Sequence, residues 1–287
     1  MRFSVFVKRA FLRFIQNLGY ELKGKKKIIK HNNFDSIINF LLKKKDIEKH
    51  IYFDVGANLG QSIERFKKIN PISKIHSFEP TPELYNKLKE KYANDKNVNL
   101  NSVGIGDNNS FSNFYTYKHH KINSFIPIDR ETKFWKSRVI ATNSSNEDFE
   151  KKIKVDITTI DNYCKKNNIT EIDYIKVDTQ GKEKDVLKGM KNLIEEQKIS
   201  IIELELIIGF GYNKNFSFLD YENILIPNGY RLIALDNAGN ILSYSNYQTN
   251  LLYVNTALFK EIEKMHKQNI NIEGITNKTD KLNPFSY

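Results

Sequence analysis

The sequence predicts an α/β protein built on a doubly wound, mostly parallel sheet. Three observations carry that expectation. Ile51 to Gly60 reads as a buried strand running into a glycine turn, with a helix after it. Strand-like runs recur at Lys74–Phe78, Asn97–Val103, Ile172–Val177 and Ile199–Ile208. Stretches with helical spacing lie among them, the alternation expected of parallel strands joined by crossovers.

In the opening unit, Gly56 and Gly60 bound the turn, and Ser62, Ile63, Phe66 and Ile69 follow on one helical face. Glycines let a backbone approach a ligand, and a helix start offers free N–H groups. The spacing narrows the ligand. A dinucleotide pocket uses G-x-G-x-x-G to grip a pyrophosphate, whereas this turn is G-x-x-x-G with Asp54 before it. An acid there suits a cation, and S-adenosylmethionine, with its sulfonium and amino group, fits.

Phe34 to Leu42 reads as a helix ahead of this unit. The second strand ends at Glu79-Pro80, and Thr81-Pro82 opens the next helix, carried on by Leu84, Leu88 and Tyr92. Glu79 thus stands at a strand's carboxyl end, where an acid accepts hydrogen bonds from ribose hydroxyls. After the third strand come the turn Gly104–Asp107 and an aromatic extended segment at Phe111–Tyr117. Residues 118–152 show the least regular pattern and read as a long substrate-facing loop. They hold His119-His120 and Trp135; no acid or cysteine joins the histidines at ligand spacing, so no metal site is expected. Val155–Ile160 reads as a strand, with Asp161 capping the following helix. Asp178 ends the strand Ile172–Val177, and a helix begins at Glu183. Glu203 and Glu205 interrupt the apolar run Ile199–Ile208, two apart and so on one face. Two acids in a buried strand are costly, which marks a site. A helix over Phe218–Ile226, a strand over Gly229–Leu235, a turn at Asp236–Asn240, a strand beginning at Tyr244, another ending the sheet at Leu251–Val254, and a helix over Phe259–His266 complete the series.

Charge divides the chain. Residues 1–50 hold 13 Lys or Arg and 4 Asp or Glu, so +9 of the net +11 sits there. Within them, residues 3–18 form a basic helix with an aromatic-rich apolar side, suited either to packing on the domain or a partner, or to an anionic membrane surface. Three segments result: a basic helical extension at 1–49, a catalytic domain at 50–256 with the 118–152 insertion, and a helix and tail at 257–287. Cys164 is the only cysteine, which excludes an internal disulfide and a cysteine zinc cluster and suits a reducing compartment. No apolar run approaches the roughly 18 residues of a membrane span. A cytoplasmic protein is expected, at the inner membrane face if residues 3–18 bind there.

The ordered motifs resemble those of the FkbM family of S-adenosylmethionine-dependent methyltransferases over residues 50–256. They are Asp54-Val55-Gly56-Ala57-Asn58-Leu59-Gly60, Phe78-Glu79-Pro80, Val103-Gly104-Ile105-Gly106-Asp107, Thr159-Ile160-Asp161, Ile175–Glu183, the Glu205 strand, Asn228-Gly229-Tyr230 and Leu252–Asn255. The resemblance implies the class I (Rossmann-like) fold, a seven-stranded, mostly parallel sheet with an antiparallel last strand and helices on both faces. It implies O-methylation of a hydroxyl on a sugar, a glycan (lipid-linked forms included) or a related small molecule. By position, Asp54, Gly56, Asn58 and Gly60 would hold the methionine part of the cofactor, Glu79 the ribose, and the turn from Ser102 to Asp107 would lie near the adenine. Two departures stand out: Thr179-Gln180-Gly181-Lys182-Glu183 replaces the family's acid followed by Gly-Ala-Glu, and residues 118–152 match no family motif.

Methyl transfer to an alcohol requires oxygen, methyl and sulfur in line and an acceptor for the hydroxyl proton. Asp178 is the candidate base or orienting group, with Glu205, His119 and His120 as rivals. Other classes remain: an RNA methyltransferase, which would need basic and aromatic residues around its cleft, and a non-catalytic membrane-associated adaptor keeping the fold. A nicotinamide dehydrogenase is disfavoured by the missing third glycine. The oligomeric state has no signature in the sequence.

Overall fold

The computed structural model describes residues 33–43, 46–207, 212, 216–236 and 248–267. The expected helix at 3–18, the strand start at Tyr244, most of the 236–240 turn and the C-terminal tail lie outside them.

Helix α1 (Asn33–Leu42) precedes the first half of the sheet: β1 (Ile51–Val55), α2 (Gln61–Ile69), β2 (Lys74–Phe78), α3 (Pro82–Lys91) and β3 (Val98–Asn101). Next come β4 (Gly104–Ile105), β5 (Ser110–Tyr117), α4 (Lys133–Ala141), α5 (Asn146–Phe149) and β6 (Glu150–Thr158). The second half comprises α6 (Ile160–Lys166), β7 (Ile172–Val177), α7 (Glu183–Lys188), α8 (Lys191–Glu195), β8 (Ile199–Ile207), α9 (Leu219–Leu225), β9 (Arg231–Leu235), β10 (Gln248–Val254) and α10 (Thr256–Lys267). Seven strands form one sheet in the order β3-β2-β1-β7-β8-β10-β9. The pairings from β3 through to β8 are parallel, and β10, last in the chain, inserts antiparallel between β8 and β9. The strand order reverses direction between β1 and β7, so the crevice of this sheet opens there.

Alternation along the strands sorts side chains to two cores. Phe53, Ile175 and Ile202 face α6 to α9, packing with Cys164, Leu187 and Tyr221. Tyr52, Tyr174 and Ile201 face α1 and α2, against Phe34, Ile38, Ile63 and Phe66. Strands buried on both faces explain the near-continuous apolar run of β8.

The structure corrects four sequence expectations. The third strand ends at Asn101, and Gly104–Ile105 pairs instead with β6 in a second, three-stranded sheet ordered β4-β6-β5. Residues 118–152 are no irregular loop: they hold α4, α5 and the start of β6, around a core of Tyr117, Ile122, Ile128, Trp135 and Phe149. Its apolar residues are too widely spread in sequence to show a period, because they converge from a strand end, two helices and a turn. The strand expected at Val155–Ile160 begins at Glu150, and Ile160 starts α6. Thr159, rather than Asp161, caps α6, accepting from the Asn162 N–H at 3.0 Å. Asp161 reaches across to the start of α8 and accepts from the N–H groups of Asn192 (3.0 Å) and Leu193 (3.3 Å).

Candidate functional site

A cavity of about 690 Å³ opens at the carboxyl ends of β1, β2, β7 and β8. Its glycine turn adopts the conformation that the sequence demands. Gly56 sits at φ +94°, and a Cβ there would lie 2.0 Å from the Asp178 carbonyl oxygen. Only glycine allows the loops after β1 and β7 to pack this closely. The N–H groups of Gly56 and Ala57 both donate to the Phe78 carbonyl, which ties the turn to β2. Asn58, also left-handed at φ +51°, donates its N–H to Glu79 at 2.8 Å and its side-chain amide to the His120 carbonyl at 3.0 Å. The insertion is thereby fastened to the turn.

Register builds the cavity floor. Ser77, Asp54, Lys176 and Glu203 are partners across four adjacent strands, so one residue type change per strand sets a polar row. Asp54 is fully buried below the turn, outside the cavity lining; Ser77 donates to one of its oxygens at 2.9 Å, and the other has no partner. Burial pushes its pKa up to about 6, against the pull of Lys176 and Ser77. Glu79 is 5% exposed; its oxygens accept from the N–H groups of Asn58 and Thr81, and burial still pushes its pKa up to about 7. Arg65, from α2, is held by Asp35 and by Glu203 at 2.8 Å, while Tyr174 donates its hydroxyl to the same Glu203.

Above this row, the loop after β7 presents the candidate acids. Lys176 donates to Asp178 at 2.7 Å, and Gln180 bridges Asp178 (3.0 Å) and Glu205 (2.5 Å). Tyr212 donates to the Gln180 side-chain oxygen at 2.9 Å, and Ser124 of the insertion donates to its backbone carbonyl at 2.7 Å. Burial raises Asp178, but the Lys176 ammonium outweighs it and holds the carboxyl below its ordinary range. Glu205 moves the opposite way: burial first, then the Asp178 and Glu183 charges, raise it well above the carboxylate range. Two carboxyls driven apart in this way divide into an ionised and a protonated partner. Lys176 stays charged, because Asp178, Glu203 and Asp54 outweigh its burial.

Of the sequence candidates, Gly56, Asn58, Glu79, Asp178, Glu205 and His119 line the cavity together. Gly60, at φ +83°, precedes α2 behind the lining. His120 contributes its carbonyl to Asn58 and stays outside the lining. Ser102 and Asp107 are exposed, while Val103, Gly104 and Ile105, from the stretch between them, line the cavity. Sequence reasoning missed Lys176, Arg65, Gln180 and Glu183. Glu183 is 1% exposed and gathers the loop, accepting from the N–H groups of Thr179 (2.9 Å) and Gly181 (3.1 Å). The signal was Gly181, a residue free to take positive φ, followed two residues on by an acid able to hold its turn; in the structure Gln180 and Gly181 both sit at positive φ.

The donor set suits S-adenosylmethionine. Glu79 and Glu203 line the cavity, where carboxylates would stabilise a sulfonium and an ammonium. The buried Asn58 side-chain oxygen, without a partner in the protein, offers an acceptor for an N–H.

A curated relative, the 2-O-methyltransferase NoeI of Sinorhizobium fredii, is 26% identical over 170 residues, covering 57% of this chain and 65% of its own length. Solved structures include the METTL16 methyltransferase domain (TM-score 0.45, 9% identity, 78% of this chain and 67% of that one). Another is precorrin-6y C5,15-methyltransferase from Geobacter metallireducens (TM-score 0.38, 10% identity, 82% and 93%). At those scores the likeness bears on no residue's role. The family described as Methyltransferase FkbM domain matches residues 54–232, and the chain belongs to that family of S-adenosylmethionine-dependent methyltransferases.

Proposed function

We propose that the protein transfers a methyl group to a hydroxyl oxygen of a sugar or glycan, with Asp178 as proton acceptor. The observation that carries this is the Asp178–Glu205 pair, held by Lys176 and Gln180 in the cavity that the glycine turn borders. The relative named as a 2-O-methyltransferase supports an oxygen as the methyl acceptor.

When bound, S-adenosylmethionine would supply an electrophilic methyl, its S–CH3 bond breaking as the C–O bond forms, and would leave as the neutral thioether S-adenosylhomocysteine. The chain's part is to place the acceptor hydroxyl and take its proton. Ionised Asp178 accepts a hydrogen bond from the hydroxyl and orients an oxygen lone pair toward the methyl. As the new C–O bond forms, the oxygen gains positive charge and its proton becomes strongly acidic, so a carboxylate of low basicity suffices. The proton passes to Asp178. Protonated Glu205 and Gln180 fix the carboxylate's orientation, and Lys176 keeps it ionised before the acceptor arrives.

Labelled methyl transfer from S-adenosylmethionine into fractionated glycans and sugars tests the reading. Label is expected in an O-methyl ether of a neutral or anionic sugar. Asp178→Asn is expected to keep cofactor affinity within about threefold and lose at least about a hundredfold in turnover. Full turnover in that variant would remove Asp178 from the chemistry, and label confined to RNA would remove the sugar.

A further inference from the structure

The cavity has walls of opposite sign. The sheet ends supply acids, while the insertion supplies His119, Lys121 and Arg138. Among the described arginines, Arg65 is engaged by carboxylates, Arg130 by Glu150 and Arg231 by backbone carbonyls. The Arg138 guanidinium has no such partner among the described residues. It lies over the Phe134 ring, one helical turn earlier on α4, at 5.2 Å, and its Nε is buried without a hydrogen bond. Lys121, in the turn His120–Ile122, also makes no ion pair among the described residues. Both cations line the same cavity as His119, and after burial the Arg138, His120 and Lys121 charges further depress the His119 pKa. Like charges gathered without counter-ions destabilise a fold and persist where a ligand neutralises them. An aromatic ring beneath a planar guanidinium fixes the fork that grips a phosphate through paired N–H groups.

Resting on the methyltransfer reading, we propose that Arg138 and Lys121 form an anion subsite for the acceptor, and that the acceptor is a phosphorylated sugar, as a monoester or joined through a diphosphate. The hydroxyl is then methylated at the acidic floor while the phosphate is held by the insertion. This assigns the insertion the role of choosing the acceptor. The cofactor's amino-acid end carries a carboxylate beside its ammonium, so S-adenosylhomocysteine affinity in the variants is what separates an acceptor subsite from a cofactor-carboxylate one.

The full chain, saturated with S-adenosylhomocysteine, is titrated calorimetrically at low salt with inorganic phosphate, pyrophosphate, glucose 1-phosphate, glucose and a short single-stranded RNA. Binding of at least one phosphate compound, and none of glucose, is expected. Tighter binding of pyrophosphate than of phosphate and glucose 1-phosphate would point to the diphosphate-linked form, and the reverse to the monoester. Arg138→Gln and Lys121→Gln should each weaken phosphate binding about tenfold, Arg138→Lys less, and S-adenosylhomocysteine affinity should stay within about twofold in all three. Thermal unfolding checks that each variant folds; if Arg138→Gln does not, Lys121→Gln carries the test. The proposal is overturned by no phosphate binding at millimolar concentration, by unchanged phosphate affinity in the folded variants, by a parallel loss of S-adenosylhomocysteine affinity, or by tighter binding of the RNA. Failure of the wild type to bind S-adenosylhomocysteine would instead sink the methyltransfer reading, and the phosphate titration of the free protein would still decide this one.

Discussion

Glu79 makes the stability of the cofactor-free protein depend on pH in an unusual direction. Its carboxyl is 5% exposed, and burial pushes its pKa up to about 7 from an ordinary 4.5, despite the N–H groups of Thr81 and Asn58. Between those two values the folded chain holds a proton that the unfolded chain has released. Stability is therefore greatest below the unfolded pKa and is lost as pH rises through the folded one. At about 1.4 kcal/mol per pKa unit, Glu79 contributes a fall on the order of 3 kcal/mol. Glu79→Gln is close to a permanent copy of the protonated form. Urea unfolding at intervals from pH 4.5 to 8, in wild type and Glu79→Gln, isolates the effect by subtraction, because Asp54 and the histidines remain in both. The wild type should lose about 3 kcal/mol relative to the variant across that range. A difference that stays flat, or a wild type that gains on the variant, would show that Glu79 is ionised in the free protein and that burial is offset by its donors.

Three further outcomes are expected. Gly56→Ala places a Cβ against the Asp178 carbonyl at left-handed φ, and should cost about 2–4 kcal/mol of stability or an equivalent loss of cofactor affinity; an unchanged urea midpoint together with unchanged affinity would show that the loops part easily. Trp135→Ala empties the centre of the insertion's core and should cost about 3–5 kcal/mol there. Hydrogen exchange would then show lost protection over residues 118–149 with the seven-stranded sheet still protected, and a uniform loss would make the insertion part of one cooperative core. Glu183→Gln weakens the acceptor that collects the Thr179 and Gly181 N–H groups, and should lower turnover more than cofactor affinity; equal losses in both would tie this loop to cofactor binding instead.

The sheet was legible because its signals are local. Each parallel strand is a short apolar run, and each is followed by a turn whose chemistry can be read in place, such as Asp54 to Gly60 or Glu79 to Pro82. The insertion was illegible for the converse reason. Trp135, Phe149 and Tyr117 come together across more than thirty residues, and Ile207 at the end of β8 and Tyr212 beyond it join them. No window of one helix or strand contains enough of that core to show a period. Asp161 failed differently: a cap was rightly sought near the start of α6, but Thr159 took that place and Asp161 served a helix thirty residues away.

Site residues followed the same division, and this bears on how the cavity came by its two-sided charge. Asp178 and Glu205 could be picked out because an acid at the end of a buried strand is conspicuous. Lys176 could not, since a lysine in an otherwise apolar strand has meaning only once the register puts Asp54 on one side and Glu203 on the other. That register balances much of the buried charge on the floor: Lys176 with Asp178, Arg65 with Glu203 and Asp35. The floor thus needs no anion from outside, and the carboxyls it leaves over suit a cationic cofactor. On the insertion's wall Arg138 and Lys121 make no ion pair among the described residues, and the anion subsite proposed for them would bring the counter-charge in with the acceptor. A cofactor attracted by the floor and an acceptor attracted by the roof would meet between them, at Asp178.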